Sequence, residues 1–285
     1  MPFLDSQQVA FHRQQLIDVG YTVIKGVWDE DFTSEMRDWS NAIVNENPPN
    51  EKFRFQGSDI HIFTEERWDK RVHLELSSTR MPDANAARII DHPTQAQVCK
   101  DMGFGPISAQ EWVIMLSKPP RGLQCYWHQD YINWNSPEAL TPWSTVISFG
   151  YYLSDTNRNN GCLRVIPGSH RQRHELHDLI PPPHDSEVQQ MTDLSSPTFS
   201  NHPDAIDIEV SAGDMVLVDA RLLHSTWDNI SEERRTLLLV WHRIFQDGAI
   251  PPWWDGELPS SLRNFDPMEK YDESKIPGDL LKPSR

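Results

Sequence analysis

Two short motifs, far apart in the chain, constrain its fold more than any other feature. The first runs from Tyr126 to Tyr131 and contains His128 and Asp130, and the second contains His224. If the first motif is extended, His128 and Asp130 point to the same face, because side chains alternate along a strand. A fold that brings His224 beside them would place two imidazoles and one carboxylate on one face of a metal ion. Non-haem Fe(II) oxygenases use this set of ligands and leave the opposite positions open.

A His-X-Asp motif is weak evidence when it stands alone, because the same spacing is common in proteins that hold no metal there. A metal site and an ordinary strand with a charged end are both compatible with these residues. The choice between them depends on the predicted fold and on the motifs around them.

Length and charge limit the classes of function. The 285 residues are enough to bury a large hydrophobic core in one domain with appendages. The chain has 42 acidic and 26 basic residues, and its net charge of −16 argues against a nucleic-acid partner or an anionic membrane surface, which would need a basic patch. No run of about 18 apolar residues predicts a membrane span.

The N-terminus and the cysteines indicate a cytoplasmic location. Residues 1–6 lack the basic and apolar regions of a secretion signal. The three cysteines, Cys99, Cys125 and Cys162, are an odd number without a CxxC pair, which suits reduced thiols that fill the core. We therefore expect the protein in a reducing compartment.

Apolar periodicity predicts two helices near the N-terminus, over residues 6–18 and 29–46, with a first strand at residues 21–26 between them. The next segment, residues 47–63, is polar and interrupted by proline and glycine, so it predicts a loop. Its apolar side chains are candidates for a lid over the site, namely Phe53, Phe55 and Ile60.

From residue 108 onward, the pattern changes to short strands separated by turns. Residues 143–153 read as a strand, residues 157–161 as a turn because Asn and Gly tolerate positive φ, and residues 162–166 as the returning arm of a hairpin. Residues 171–204 are rich in His, Pro and Ser and predict a long loop over one mouth of the fold. We interpret three histidines of this loop, and His170 just before it, as solvated surface; the three are His174, His177 and His184.

Helices followed by a series of short strands predict a mainly β fold with flanking helices, an antiparallel barrel or sandwich of the jelly-roll kind. We expect a single domain over residues 1–285, with an N-terminal helical part to about residue 107, a core over about 108–245 and a C-terminal flap over 246–285. Strand ends at one mouth of such a fold converge on a shared cavity, and a metal would lie there.

Four spaced motifs, in this order, resemble the phytanoyl-CoA dioxygenase family over roughly residues 10–245. The motifs are Trp127-His128-Gln129-Asp130, residues 157–163 with Pro167-Gly168-Ser169-His170, Ala212-Gly213-Asp214, and His224 followed by Asn229 and Arg235. The resemblance implies a double-stranded β-helix, also called a cupin-like jelly roll, that binds Fe(II) and 2-oxoglutarate and oxidises a C–H bond with O2.

The resemblance also implies roles for five residues. His128, Asp130 and His224 would be the iron ligands. Arg235 matches the family's arginine for the far carboxylate of 2-oxoglutarate, and Thr226 matches the hydroxyl that touches the same carboxylate. Related aliphatic halogenases lack the carboxylate ligand, so Asp130 favours hydroxylation or another oxidation over halogenation.

Arg234 is the alternative to Arg235. Because side chains alternate along a strand, Arg235 shares a face with Leu237, Leu239 and Trp241, whereas Arg234 lies on the opposite face. A guanidinium suits the role because it binds a carboxylate through two parallel hydrogen bonds and stays protonated. The spacing from the distal histidine agrees with Arg235, which we favour.

Aromatic residues near the motifs are candidates for substrate contact, because aromatic walls hold apolar or ring-bearing molecules. Core packing is the alternative for each of them. The candidates are Trp127, Tyr131, Trp134 and Trp227, with Trp253 and Trp254 from the flap.

The acidic chain is a poor match for the phosphates of a CoA thioester. We therefore expect a free small-molecule substrate, such as a secondary metabolite or an amino-acid-like compound. Two other classes stay open: a cupin-type metalloenzyme without 2-oxoglutarate, such as a ring-cleaving dioxygenase or isomerase, and an inactive binding member. No heptad pattern or exposed apolar helix predicts a particular oligomeric state.

Overall fold

Two β-sheets flanked by helices make up the computed structural model, which describes residues 1–46, 54–55, 57–64, 79–105, 107–109, 112–180, 194–258, 260–263, 266 and 268. The helices are α1 (Ser6–Asp18), α2 (Glu30–Glu46), α3 (Ala84–Ile90), α4 (Pro93–Asp101) and α5 (Ser260–Arg263). The first strands are β1 (Tyr21–Ile24), β2 (Arg54–Phe55), β3 (Ser58–Thr64), β4 (Thr79–Pro82) and β5 (Ile107–Ala109). The later strands are β6 (Trp112–Lys118), β7 (Cys125–His128), β8 (Val146–Tyr152), β9 (Leu163–Val165), β10 (Ile206–Ile208), β11 (Met215–Asp219), β12 (His224–Thr226) and β13 (Arg235–Ile244).

The two sheets differ in size. Within the described residues, the larger sheet has nine strands in the order β1-β11-β8-β13-β6-β3-β2, with β4 beside β3 and β5 beside β13. The smaller sheet has four strands in the order β10-β9-β12-β7. The central strands of both sheets pair antiparallel, as a jelly roll requires. None of the helices in the described ranges combines the length and hydropathy of a membrane span.

Local sequence explains the first helix. The side chain of Asp5 accepts the backbone N–H groups of Gln7 and Gln8, and the side chain of Gln8 accepts the N–H of Asp5. This capping box satisfies N–H groups that have no partner inside the helix. Gly20 follows with a φ of +83°, a conformation that glycine adopts without strain. The predicted bounds, residues 6–18, agree with α1.

The main hydrophobic core lies between the helices and the outer face of the larger sheet. Its members come from α1 to α4 and from β6, β8, β11 and β13. Trp28 stacks on Tyr151 at 4.0 Å within this core. Trp253 and Trp254 pack against the same core, with Trp254 at 5.3 Å from Trp143. The prediction that these two tryptophans approach the mouth of the site is therefore wrong.

The structure corrects the prediction of a loop over residues 47–63. Residues 58–64 form β3, which pairs with β6 in the larger sheet. Ile60 and Ile62 are buried, and the period-two apolar signal is short enough to be hidden by the turn residues beside it. Of the residues proposed for a lid, Ile60 lies in β3, Phe55 lies in β2 and Phe53 falls outside the described residues.

The predicted hairpin of residues 143–166 is also wrong. Asn157 does begin a tight turn that ends at Gly161, which has a φ of +86°. The strands on either side belong to different sheets, because β8 pairs with β11 and β13 whereas β9 pairs with β10 and β12. The turn chemistry was read correctly, but local sequence does not identify a strand's partner. The turn crosses from one sheet to the other.

Candidate metal centre

Strand pairing brings the two motifs together. β7 and β12 are antiparallel neighbours in the smaller sheet, and His128 and His224 are direct cross-strand partners. Their ring centroids are 4.1 Å apart. Asp130 follows β7 by two residues, with its Oδ2 at 3.2 Å from His224 Nε2 and its Oδ1 at 3.7 Å from His128 Nε2. One ligand atom from each of the three residues lies within 4.8 Å of the others.

Backbone carbonyls orient both imidazoles. His128 Nδ1 is 2.9 Å from the carbonyl oxygen of Tyr126, and His224 Nδ1 is 2.9 Å from that of Leu222. A carbonyl only accepts, so each Nδ1 carries the hydrogen and each Nε2 keeps its lone pair. The two Nε2 atoms therefore face the Asp130 carboxylate as electron-pair donors, a donor set that fits a divalent cation.

The electrostatics of the cluster agree with a cation site. Burial by itself lowers the pKa of His224, but the charge of Asp130 and hydrogen bonds to Asp130 and Leu222 raise that pKa above its ordinary value. A positive charge is thus favoured between the imidazole and the carboxylate. A divalent cation bound in the same place would displace that proton.

The backbone behind Asp130 is held by a second set of contacts. The N–H groups of Asp130 and Tyr131 both donate to the carbonyl oxygen of Ala220, each at 2.9 Å. Ala220 lies between Asp219 and Arg221, whose side chains form a buried ion pair at 2.7 Å. Arg221 also donates to three carbonyl oxygens, those of Ala139, Thr141 and Trp143. The backbone of Asp130 is therefore anchored to a segment that a buried ion pair holds in place.

A cavity of about 140 Å³ lies between the two sheets and contains the cluster. Along β13, the side chains of Arg235, Leu237, Leu239 and Trp241 all face it, as strand alternation predicts. Most of its wall is apolar. The apolar members are Ile60, Ile114, Leu116, Leu163, Val216, Val218, Leu237, Leu239 and Trp241.

Arg235 brings a buried positive charge into this cavity. Its side chain is 2% exposed, Nη2 donates to the Gly161 carbonyl at 2.7 Å, and the guanidinium lies 5.4 Å from the ring of Tyr152. Nε has no hydrogen-bond partner among the described residues. Burial lowers the pKa of Arg235. The unused donors suit an incoming carboxylate.

Arg234 lies on the other face of the strand. Its Nη1 is 2.7 Å from Asp59 Oδ2 and 3.2 Å from the carbonyl oxygen of Ser117. Asp59 is 2% exposed, so the two charges compensate each other away from the cavity. The geometry thus separates the two arginines, and Arg235 alone of the pair faces the metal cluster.

Thr226 lines the cavity, whereas the four aromatic candidates for substrate contact do not. Trp127 is fully buried and donates from Nε1 to the Ser200 carbonyl, a core position. Trp227 lies between two arginines on the outer side and donates to Asp207. Tyr131 and Trp134 form a small cluster against which Trp241 packs, so they support the cavity wall from behind.

The sequence does not predict a site role for three residues in or beside the cavity. Trp241 and Tyr152 line the cavity, and Lys118 lies behind Thr226 with its Nζ 2.7 Å from the hydroxyl oxygen. Strand alternation places Trp241 on the same face as Arg235, so the sequence does contain a signal for Trp241. Nothing local distinguishes Lys118 from a surface lysine.

A second group, His174, His202 and Asp204, also brings possible ligand atoms together. Nδ1 of His174 accepts the N–H of Leu176, and Nδ1 of His202 accepts the N–H of Asp204. The hydrogens therefore lie on Nε2, and His202 Nε2 is 3.0 Å from a carboxylate oxygen of Glu175. Hydrogen bonds occupy both Nδ1 atoms and Nε2 of His202, which makes the group a poor metal site.

The interpretation of the His-rich region as solvated is wrong at two positions. His170 and His177 are buried, and burial lowers the pKa of each to about 4. His170 Nε2 is 3.0 Å from the Ile17 carbonyl, and His177 accepts the backbone N–H of His174. His184 falls outside the described residues.

Comparison with known proteins gives a family and relatives. The sequence model described as Phytanoyl-CoA dioxygenase (PhyH) matches residues 17–237. L-proline trans-4-hydroxylase of Streptomyces griseoviridis is 23% identical over 181 residues, which cover 59% of this chain and 67% of that protein. Ectoine dioxygenase of Bordetella bronchiseptica is 24% identical over 144 residues, which cover 46% of this chain and 44% of that protein. The chain thus matches less than half of the length of the ectoine dioxygenase.

Solved structures share the fold. The carbocyclase SnoK from nogalamycin biosynthesis superposes with a TM-score of 0.56 at 19% identity, covering 96% of both chains. EctD from S. alaskensis, solved with 2-oxoglutarate and 5-hydroxyectoine, gives 0.54 at 18% identity, covering 84% of this chain and 76% of that one. At these identities the likeness concerns the fold alone. The predicted mainly β fold with a jelly-roll core is confirmed.

Proposed function

The chain belongs to the phytanoyl-CoA dioxygenase family of Fe(II)- and 2-oxoglutarate-dependent oxygenases, and from that premise we propose that it hydroxylates a C–H bond of a small organic molecule. Succinate and CO2 are released from 2-oxoglutarate in the same turnover. We also propose that residues 1–285 act as a single domain, since strands from the N-terminal part complete the larger sheet.

The observation that supports this function is that one cavity contains both a candidate metal site and a candidate carboxylate site. His128, Asp130 and His224 are the proposed iron ligands, and they share the cavity with the buried, partly unsatisfied guanidinium of Arg235. A metal-binding cupin without 2-oxoglutarate has no evident need for this cation. When bound there, Fe(II) with 2-oxoglutarate supplies the capacity to activate O2 for C–H oxidation.

The chain's own residues bind and orient the reactants. Arg235 and Thr226 are proposed to bind the far carboxylate of 2-oxoglutarate, because both line the cavity that contains the metal cluster. Asp130 and the two imidazoles stay fixed in place through Ala220, Tyr126 and Leu222. The apolar wall keeps water away from the reacting centre.

The same wall supports an uncharged, apolar group as the part of the substrate that reaches the metal. Leu239, Trp241 and Val218 line the same cavity as the metal cluster, and apolar surface of this kind binds hydrocarbon better than charge. The net charge of −16 disfavours a nucleotide-bearing thioester. A free secondary metabolite is therefore the substrate class that we propose.

Anaerobic titration with Fe(II) and 2-oxoglutarate tests the site, and a metabolite screen for stimulated succinate formation tests the reaction. We expect a weak visible charge-transfer band that Asp130→Ala abolishes, and succinate formation that depends on O2. A product formed without 2-oxoglutarate would instead favour the ring-cleaving or isomerase class. Absence of any 2-oxoglutarate binding would refute the proposal.

A further inference from the structure

We propose that Lys118 is a positioning residue for 2-oxoglutarate, because its ammonium group fixes the Thr226 hydroxyl as a hydrogen-bond donor into the cavity. This inference rests on the proposed function of the site. It assigns a role to a buried cation that does not itself line the cavity.

Lys118 is held beneath the proposed carboxylate site. It is the last residue of β6, the cross-strand partner of Arg235 on β13, and its side chain is 0% exposed. Nζ is 2.7 Å from Thr226 Oγ1 and 2.5 Å from the carbonyl oxygen of Trp227. Asn229 fixes the backbone, since its Nδ2 donates to the carbonyl oxygen of Pro119 at 3.0 Å.

The ammonium determines the direction of the Thr226 hydroxyl. An ammonium has three N–H donors and no acceptor, so Thr226 Oγ1 must accept from Lys118. The hydrogen of that hydroxyl is then left for another partner, and Thr226 lines the same cavity as Arg235. Without Lys118, the hydroxyl could turn and present a lone pair to the cavity, which would repel a carboxylate.

The local charge adds to this effect. Lys118 and Arg235 are neighbouring buried basic residues, since they are cross-strand partners at the end of β6 and the start of β13. Burial, and then the charge of Arg235, hold the pKa of Lys118 well below its ordinary value. A dicarboxylate bound beside the pair would raise this pKa again, so the ammonium form that fixes the Thr226 hydroxyl as a donor belongs to the loaded site.

The turn at Gly161 packs against both cations. Its carbonyl accepts from Arg235, and a Cβ on Gly161 would lie 3.0 Å from Lys118 Cδ and 2.8 Å from the Trp227 carbonyl oxygen. The crossover between the sheets therefore closes the cavity floor around the lysine stem. The stem of Lys118 is thus packed against this turn, while its Nζ is held by Thr226 and Trp227.

Lys118→Met tests the proposal, because methionine keeps the length of the apolar stem and removes the donors. Hydrogen bonds to charged groups contribute about 1.5–3 kcal/mol, so we expect the Kd of 2-oxoglutarate in the Fe(II) protein to rise about 10- to 100-fold. KM for 2-oxoglutarate should rise with it, while kcat changes little. Lys100→Met, on the exposed surface of α4, is the matched control and should leave the Kd unchanged.

A double-mutant cycle with Thr226→Val separates positioning from a general effect of charge. If Lys118 acts through the hydroxyl, the double substitution should raise the Kd of 2-oxoglutarate no further than the more harmful single substitution does. Additive losses, or an unchanged Kd in Lys118→Met, would overturn the inference. A wild-type protein that binds no 2-oxoglutarate would instead refute the proposed function.

Thermal unfolding of the metal-free protein shows whether Lys118→Met loses affinity only because the variant is less stable. Removal of a buried, unpaired cation should leave the Tm of Lys118→Met equal to or above that of the wild type. Lys118→Gln keeps an uncharged donor and should lose less affinity than Lys118→Met. If Lys118→Gln loses as much affinity as Lys118→Met, the donor is not what matters and the inference is wrong.

Discussion

Asp219 and Arg221 form a buried ion pair, with 2.7 Å between Oδ2 and Nη2, on either side of the residue whose carbonyl holds the backbone of Asp130. Asp219 is 1% exposed and Arg221 is 0% exposed. The pair is thus part of the support of the candidate metal site, although neither side chain belongs to the cavity lining.

Asp219→Asn should destabilise the protein strongly, because it leaves the Arg221 charge buried without its partner. The expected loss in the free energy of unfolding is about 3–5 kcal/mol. Chemical denaturation of the metal-free protein measures it. Asp178→Asn breaks the exposed pair with Arg173 and should cost less than about 1 kcal/mol. Equal losses in the two variants would contradict a structural role for the buried pair.

Asp130→Ala should abolish Fe(II) binding without unfolding the protein, because the two remaining imidazoles lack the charge that favours a cation. Bound iron and the charge-transfer band with 2-oxoglutarate are the measurements. Asp204→Ala, in the second histidine cluster, is the matched control and should leave both unchanged. Loss of iron from Asp204→Ala would move the metal site to that cluster.

Arg235→Lys should raise KM for 2-oxoglutarate about 10- to 100-fold, because a lysine keeps the charge but loses the planar pair of donors. Arg234→Lys should leave this KM unchanged, since Arg234 faces Asp59 and not the cavity. Steady-state succinate formation measures both variants. The opposite order of effects would make Arg234 the carboxylate ligand.

His242→Phe should stabilise the protein more at acid pH than at neutral pH. Burial lowers the pKa of His242 to about 4, and neither ring nitrogen has a hydrogen-bond partner among the described residues. His242 is protonated near pH 6.5 in the unfolded chain but only near pH 4 in the folded protein. The free energy of unfolding therefore falls as the pH drops from 6.5 to about 4.

The ring of His242 lies 4.2 Å from that of Phe149, tilted by 47°, so a phenyl ring fits the same apolar place. Denaturation of the metal-free wild type and variant should show a gain for His242→Phe that is ~2 kcal/mol larger at about pH 5 than at about pH 8. An equal gain at both pH values would mean that His242 titrates normally in the folded protein.

The family and the fold were predictable because their signals are local or are repeated along the chain. The capping box at Asp5 sets the start of the first helix, and alternation along β13 separates Arg234 from Arg235. The four spaced motifs predicted the phytanoyl-CoA dioxygenase family, which is confirmed. The metal ligands and the carboxylate residue stay predictions, which the variants described above can test.

The features that were missed depend on contacts between distant segments. The sequence predicts a loop where β3 lies because the apolar alternation there is short, and pairing with β6 is what makes this segment a strand. β9 pairs with β12 because the chain crosses from the larger sheet to the smaller one before β9 begins. Lys118 becomes notable only once it is opposite Arg235. Trp127 and Trp227 lie next to the motifs in sequence but face away from the cavity.

The cross-strand pairing of His128 and His224 has a consequence for exchange of the ion. Opposite residues in antiparallel strands lie about 4.5–5.5 Å apart between Cα atoms, a spacing that backbone hydrogen bonds set. The gap between the imidazoles is therefore established while the chain folds, before any ion arrives. With Fe(II) bound there as proposed, loss of the ion would leave this spacing in place for the next one.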